Sequence, residues 1–364
     1  MHFYLKKYIE PDFNVPELKN APTAVFVPAL MDGVAPENYH ATTIFPEYFK
    51  VGGKWLLAEE SRMDCVAVYD HGRIIVREFR HLKKGDLVFV GRTEDGRQGI
   101  YVHTDGFDDT RKESGESFAF RQGRSRETAF SMDYDYLYEQ LRYEKENGYI
   151  VWVAGPACTF DADSRNAFSS LCAHGYVHAL LAGNALATHD LEAAYKKSAL
   201  GQDIYTQITY PNGHYNHIDT INKVRLHGSI PAFIEQENIC DGIMYNCVKH
   251  NIPFVLTGSI RDDGPLPEVY ADVYAGQDAM RGHIRKATTI ICMAITLHSI
   301  AAGNIAPSFR MLPDGTVRQV YFYLVDISEF SANKLGDRGS LSAKSIITNV
   351  QDFIVHTCNN LIHS

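Results

Sequence analysis

Ile252-Pro253-Phe254-Val255-Leu256-Thr257-Gly258-Ser259-Ile260-Arg261-Asp262-Asp263-Gly264-Pro265-Leu266-Pro267-Glu268 joins an apolar run to a polar cluster without a break. The run from Ile252 to Leu256 reads as a buried strand. Where it ends, the chain presents a hydroxyl, an arginine, two adjacent carboxylates and two glycines. In an open α/β sheet, ligands sit outside the carboxyl ends of the strands. A polar cluster in that place is therefore a site candidate on physical grounds.

Working outward, the pattern from Asp133 onward alternates helix and strand. Tyr134 to Asn147 reads as a helix and Tyr149 to Ala154 as a strand ending at Gly155-Pro156. Asn166 to His174 and Asp190 to Ser198 read as helices. Val177 to Ala182, Phe254 to Leu256, Thr289 to Ala294 and Val320 to Val325 read as strands. Apolar strands interleaved with helices predict a mostly parallel sheet covered on both faces. Upstream, Val25-Phe26-Val27, Lys54 to Leu57, Cys65 to Tyr69, Arg73 to Val76 and Asp86 to Val90 are short strands. Turn signals such as Gly52-Gly53 and Asp70-His71-Gly72 separate them, which suggests a small barrel or sandwich. The expected organisation is a polar lead-in (1–20), a small β domain (21–103), a linker or loop rich in Gly, Asp, Arg and Ser (104–130) and an α/β domain (131–364).

A chain of 364 residues suggests two domains. A net charge of -9 argues against nucleic acid as the main partner, because phosphate binding needs a basic surface. No apolar run reaches the roughly 18 residues of a membrane span, and the start of the chain lacks the apolar core of a signal peptide. Seven cysteines with no Cys-x-x-Cys pair fit a reducing cytoplasm.

Other strand ends carry chemistry too. Gly183-Asn184-Ala185-Leu186-Ala187 follows the Val177 strand, where exposed backbone N–H groups at a helix start suit a phosphate; an ordinary strand-to-helix turn reads the same way. Met293-Ala294-Ile295-Thr296-Leu297-His298-Ser299 ends another strand, with His298 either a buried, carbonyl-satisfied histidine or a site residue. Leu324-Val325-Asp326 ends in an acid of the kind that accepts from ribose hydroxyls, although many strands end in Asp merely to turn. A Gly-x-Gly-x-x-Gly fingerprint is absent from the sequence. Gly213-His214-Tyr215-Asn216-His217 offers two histidines, too few for zinc, and suggests a loop over a substrate; Cys240 and Cys247 read as core. No metal is expected. Arg62 either holds a carboxylate or pairs with Glu60 or Asp64 at the surface.

Taken together, these segments resemble the archaeal-type ornithine cyclodeaminase family, also labelled the LOR/SDH-like conserved domain, and the carboxyl-terminal part of bifunctional arginine dihydrolase–ornithine cyclodeaminases. The similarity runs from about Ala29 to Phe353. It is densest at Arg62-Met63-Asp64-Cys65, Leu180 to Ala187, Gly242-Ile243-Met244-Tyr245, Gly258 to Pro267, Leu297 to Ala301 with Gly303-Asn304, and Asp337-Arg338-Gly339-Ser340. The resemblance implies a Rossmann-like (deoxyhypusine-synthase-like) parallel-sheet NAD domain preceded by a small β-barrel-like domain, in a homo-oligomer. It implies NAD contacts at Asn184, Ala185, Asp263, Ile295, Thr296, Leu297, His298 and Asp326, and at Asn349, where the family has an Asp. It implies a small amino-acid substrate, L-ornithine or a close diamino acid. Arg62 or Arg261 would bind the carboxylate, Asp262 or Asp263 would orient and deprotonate the α-amine, and His298 would assist proton transfer. The chain departs from the family at Ile44 (usually Asn), at Cys158-Thr159-Phe160 (a His-containing stretch elsewhere) and in starting close to the β domain, where members usually carry a further α+β domain. An amino- or imino-acid oxidoreductase with net cofactor turnover and a non-catalytic NAD-bound regulator are the competing expectations.

Overall fold

The computed structural model describes residues 3–107, 131–262, 264–327 and 343–363, with only the backbone described for 131–133. The expected linker beyond Phe107, the Asp337–Ser340 motif and Asp263 lie outside the described residues.

The amino-terminal region begins with a short helix, α1 (Pro16–Lys19), and continues through seven strands: β1 (Val25–Pro28), β2 (Glu47–Val51), β3 (Lys54–Leu57), β4 (Val66–Asp70), β5 (Arg73–Arg77), β6 (Leu87–Val90) and β7 (Ile100–Val102). They form two antiparallel sheets, ordered β1-β6-β4-β5 and β3-β2-β7. Phe49, Ala67, Ile74, Val76, Phe89 and Ile100 from both sheets share one core. The sequence reading missed β2 and β7. Glu47 and Lys50 break the apolar run of β2, yet both are buried. Lys50 Nζ donates to the carbonyls of Lys19 and Ala21 at 2.8 Å, which offsets its desolvation.

The second region runs α2 (Ser131–Asn147), β8 (Ile150–Ala154), α3 (Ala162–Ala173), β9 (Ala179–Gly183), α4 (Asn184–Lys196), a hairpin β10–β11 (Ser198–Ala199, Gln202–Asp203), α5 (His214–His227), α6 (Ile230–Gln236) and α7 (Ile243–Lys249). It continues with β12 (Phe254–Thr257), β13 (Val269–Tyr270), α8 (Val273–Ile284), β14 (Thr289–Met293), α9 (Thr296–Ile305), a hairpin β15–β16 (Phe309–Met311, Val317–Gln319), β17 (Tyr321–Asp326), β18 (Ala343–Ile347) and α10 (Val350–Ile362). Seven strands form one parallel sheet in the order β13-β12-β9-β8-β14-β17-β18.

Strand alternation sorts the side chains onto two faces. Ile150, Trp152, Leu180, Leu256, Ile291 and Tyr323 point to one core, packed by α2, α3, α4, α7 and α10. Val151, Val153, Leu181, Val255, Ile290 and Phe322 point to the other, packed by α8 and α9. Burial on both faces explains why these strands read as unbroken apolar runs. Helices α3 and α4 start earlier than expected, at Ala162 and Asn184. Asp161 caps α3 by accepting from Ser164 N at 3.1 Å, a signal the apolar periodicity does not carry. No helix among the described residues is long and apolar enough to cross a membrane.

A candidate active site at the carboxyl ends of the parallel strands

The chain moves from β8 outward through β9 and β12 to β13, then returns to β14 on the opposite side of β8. The crevice beyond β8 and β14 is therefore the topological switch point, where such sheets bind ligands. Glycine lets its walls meet. A Cβ on Gly155 would lie 2.1 Å from the Ala294 carbonyl oxygen, so only glycine fits between the two strand ends. Gly155 N donates to Met293 O at 2.9 Å. Ala294 itself sits at φ 48°, a left-handed conformation uncommon for alanine and typical of constrained sites. The sequence reading took Gly155 only as a strand terminator.

Two helices open onto this edge without a side-chain cap: α4, preceded by Gly183, and α9, preceded by Ile295. By contrast, Asp161, Ser229, Asp272 and Asn349 cap α3, α6, α8 and α10. The starts of α4 and α9 carry positive partial charge from the helix dipoles, and the pair suits a diphosphate. Ala185 lies in the first turn of α4, and Thr296, Leu297 and His298 in the first turn of α9. Asp326 closes β17 opposite Ile347. The residues of the proposed cofactor set that are described thus gather at one edge. Asn349 stands beside it, but its Oδ1 accepts from Gln351 N at 2.8 Å and caps α10.

Asn184 holds the neighbouring loop in place. Its Oδ1 accepts from Leu266 N at 3.0 Å, while Arg225 reaches Pro265 O at 3.1 Å and Glu268 Oε1 accepts from Ile230 N at 2.5 Å. Within the loop, Asp262 Oδ2 accepts from Ser259 N at 2.7 Å and fixes the turn that leaves Ile260 and Arg261 exposed. His298 Nε2 hydrogen-bonds Thr257 Oγ1 at the end of β12. Burial holds the His298 imidazole below its ordinary value against the opposing pull of the Asp262 carboxylate.

Arg62 lies elsewhere, and it is not the surface arginine that one sequence reading made it. It is buried and pairs with Glu78, not with Glu60 or Asp64. Its Nε and Nη2 donate to Cys65 Sγ at 3.2 and 2.9 Å, and Nη1 reaches Ile305 O at 3.4 Å. Ile305 ends α9, seven residues beyond His298, or about 10 Å along the helix axis. Arg62 is thus separated from the Asp262–His298 group and lines a cavity of about 210 Å³ between the β region and α8–α9, with Glu78, Arg281 and Asn304. Ile44 lines the same cavity, and its carbonyl accepts from Ser308 Oγ.

Glu78 joins the two regions by forming ion pairs with both Arg62 and Arg281 (the latter at 2.5 Å). Burial alone would raise its carboxyl, but the two guanidiniums together hold it below the ordinary 4.5. A depressed carboxylate contributes stability above its unfolded value and loses it as pH falls through the folded one. Acidification below pH ~4.5 is therefore expected to lower the thermal midpoint, and Glu78→Gln to remove part of that acid dependence, as calorimetry across pH would register.

Other expectations need correction. His214–His217 is not a loop but the start of α5, with the His217 ring 6.0 Å from that of His189. Cys240 is exposed, whereas Cys247 is in the core as expected. Cys158 is fully buried and donates to Gly155 O at 3.2 Å, so this family departure faces the interior. Among the described residues no group of three or more His, Cys, Asp or Glu is placed to hold a metal ion.

A parallel sheet with a glycine-lined switch point, two uncapped helix starts and a strand-end acid defines a Rossmann-type ligand-binding protein. The profile of the family described as arginine dihydrolase ArgZ-like, C-terminal, Rossmann fold, matches residues 137–357. An ornithine cyclodeaminase of Methanocaldococcus jannaschii is 38% identical over 336 residues, covering 90% of this chain and 75% of that protein. The bifunctional arginine dihydrolase/ornithine cyclodeaminase AgrE of Nostoc sp. is 33% identical over 334 residues, or 90% of this chain and 45% of AgrE. Among solved structures, a conserved LOR/SDH protein of Methanococcus maripaludis S2 superposes with a TM-score of 0.84 at 34% identity, covering 94% of this chain and 99% of that one. The ternary complex of AgrE with ornithine and NAD+ superposes at 0.57 with 32% identity, over 95% of this chain and 46% of that one. The chain belongs to the ArgZ-like carboxyl-terminal Rossmann-fold family.

Proposed function

We propose that this chain is an NAD-dependent ornithine cyclodeaminase, converting L-ornithine to proline and ammonia, a cyclodeaminating ammonia-lyase of amino-acid metabolism. The observation that supports this reading is that the uncapped α4 and α9 starts, Asp326, Asp262 and the His298–Thr257 pair all lie at or just after carboxyl ends of strands in one parallel sheet. Residues 131–364 would form the cofactor domain and 21–103 a β domain bordering it, in a cytoplasmic homo-oligomer.

NAD supplies a two-electron hydride acceptor that is regenerated within each cycle. The residues present fit it: the two helix starts suit the diphosphate, and Asp326 suits a ribose hydroxyl. Arg261, exposed at the rim, pairs with the substrate α-carboxylate; Arg62, committed to Glu78 and Cys65, does not. Asp262 or Asp263 would take the α-amine proton, so that loss of hydride from Cα would leave an iminium ion at that carbon. The terminal amine then attacks Cα and ammonia departs with a proton from His298 or its carboxylate neighbour. Return of the hydride to the cyclic iminium would give proline, so the sum is ornithine to proline plus ammonia with no net redox change.

The test is incubation of purified protein with L-ornithine and substoichiometric NAD+, following proline and ammonia by mass spectrometry. Proline beyond one equivalent of cofactor is expected. Protein that binds NAD yet forms no proline would refute ornithine as the substrate.

A further inference from the structure

We infer that Thr257 is a positioning residue that fixes His298 in the tautomer carrying its proton on Nδ1, so that the ring nitrogen not engaged by Thr257 is a hydrogen-bond donor. This rests on the reading of His298 as a proton-transfer group.

The geometry follows from strand register. Thr257 closes β12 and pairs with Gly183, the last residue of β9, and Gly183 is also the residue before α4. The His298 ring, delivered by the first turn of α9, lies over that junction. A Cβ on Gly183 would stand 3.7 Å from Cε1 and 3.8 Å from Nε2, so this edge of the ring faces the strand ends. Nε2 is within hydrogen-bonding reach of Thr257 Oγ1, and the described residues give Nδ1 no hydrogen-bond partner.

One proton has to be placed. The Thr257 hydroxyl proton has two acceptors in reach: Ala182 O, at 3.5 Å, and the much nearer His298 Nε2. A contact of 3.5 Å is at the outer limit of a hydrogen bond, so the hydroxyl donates to Nε2. Burial favours the neutral ring, which carries a single proton. With Nε2 occupied as an acceptor, that proton resides on Nδ1. The ring then meets a departing or developing amine group as a donor held at a fixed angle. Valine at position 257 keeps the branched shape but removes the hydroxyl, and serine keeps the hydroxyl.

Nitrogen-15 histidine labelling reads the tautomer directly, with the His298 signals assigned by their absence in His298→Gln. The wild type and Thr257→Ser are expected to show the Nδ1–H form, and Thr257→Val a mixture or the Nε2–H form. In the ornithine assay, Thr257→Val is expected to lower kcat ~10-fold or more with KM nearly unchanged, and Thr257→Ser to restore it. Wild-type His298 in the Nε2–H form, or an unaltered tautomer in Thr257→Val, would overturn the inference. The tautomer readout needs no turnover, so if ornithine is not the substrate all variants are inactive while the nitrogen shifts still decide the role of Thr257.

Discussion

His298→Gln is expected to reduce proline formation from ornithine by ~100-fold or more, because general acid–base groups contribute that much or more to proton-transfer steps. Glutamine matches the polarity of imidazole, but its amide neither takes nor releases a proton at neutral pH. The cofactor contacts proposed at this edge come mainly from helix backbone and from Asp326, so NAD affinity should change little. Measuring proline by mass spectrometry and NAD binding by calorimetry separates the two effects. A variant that binds NAD normally and still cyclises ornithine at near the wild-type rate would remove His298 from the chemistry. The same assay applied to Asp263→Asn tests the second acid of the Asp262-Asp263 sequence pair, whose replacement is expected to cost turnover.

The second large effect is on stability. Asp190, on α4, is fully buried and accepts from Arg165 Nε at 2.7 Å, from Ile243 N at 3.0 Å and from Met244 N at 2.7 Å. It thereby neutralises a buried guanidinium and caps α7, whose own preceding residue, Gly242, has no side chain to do so. Gly242 stands at φ 116°, and a Cβ there would be 2.3 Å from Arg165 Nη2. Asp190→Ala removes the buried partner of the Arg165 guanidinium, leaving it only the partly exposed Asp241, and leaves two helix N–H groups unpaired. It should cost ~3–5 kcal/mol, as removal of one partner of a buried pair does. Asp241 also contacts Arg165, at 2.9 Å, but is 43% exposed. Asp241→Ala should therefore cost no more than about 1 kcal/mol. Urea unfolding of the two variants checks the contrast; equal losses would show that burial is not what sets the value of the Asp190 contact. This network also gives the Gly242-Ile243-Met244-Tyr245 motif a structural explanation.

The sequence alone determined the layered α/β region and five of the seven strands of its parallel sheet, because strands buried on both faces must be apolar throughout and are bounded by turn residues. It also pointed to the strand ends as the place for a site: Gly183-Asn184, Ile295 to His298 and Asp326 all read as strand-end groups, and the parallel register brings them to one edge. Tertiary structure decided the rest. Strand order, which places β14 beside β8, is set by pairing between segments far apart in sequence, and it alone makes Gly155 and Ala294 neighbours. Arg62 carried the same sequence signal as a ligand-binding arginine. Its partner, Glu78, and its distance from His298 depend on how the β region packs on α8 and α9. Residue type reports the chemistry a side chain is capable of; which groups share that chemistry is fixed by long-range packing, which local patterns do not encode.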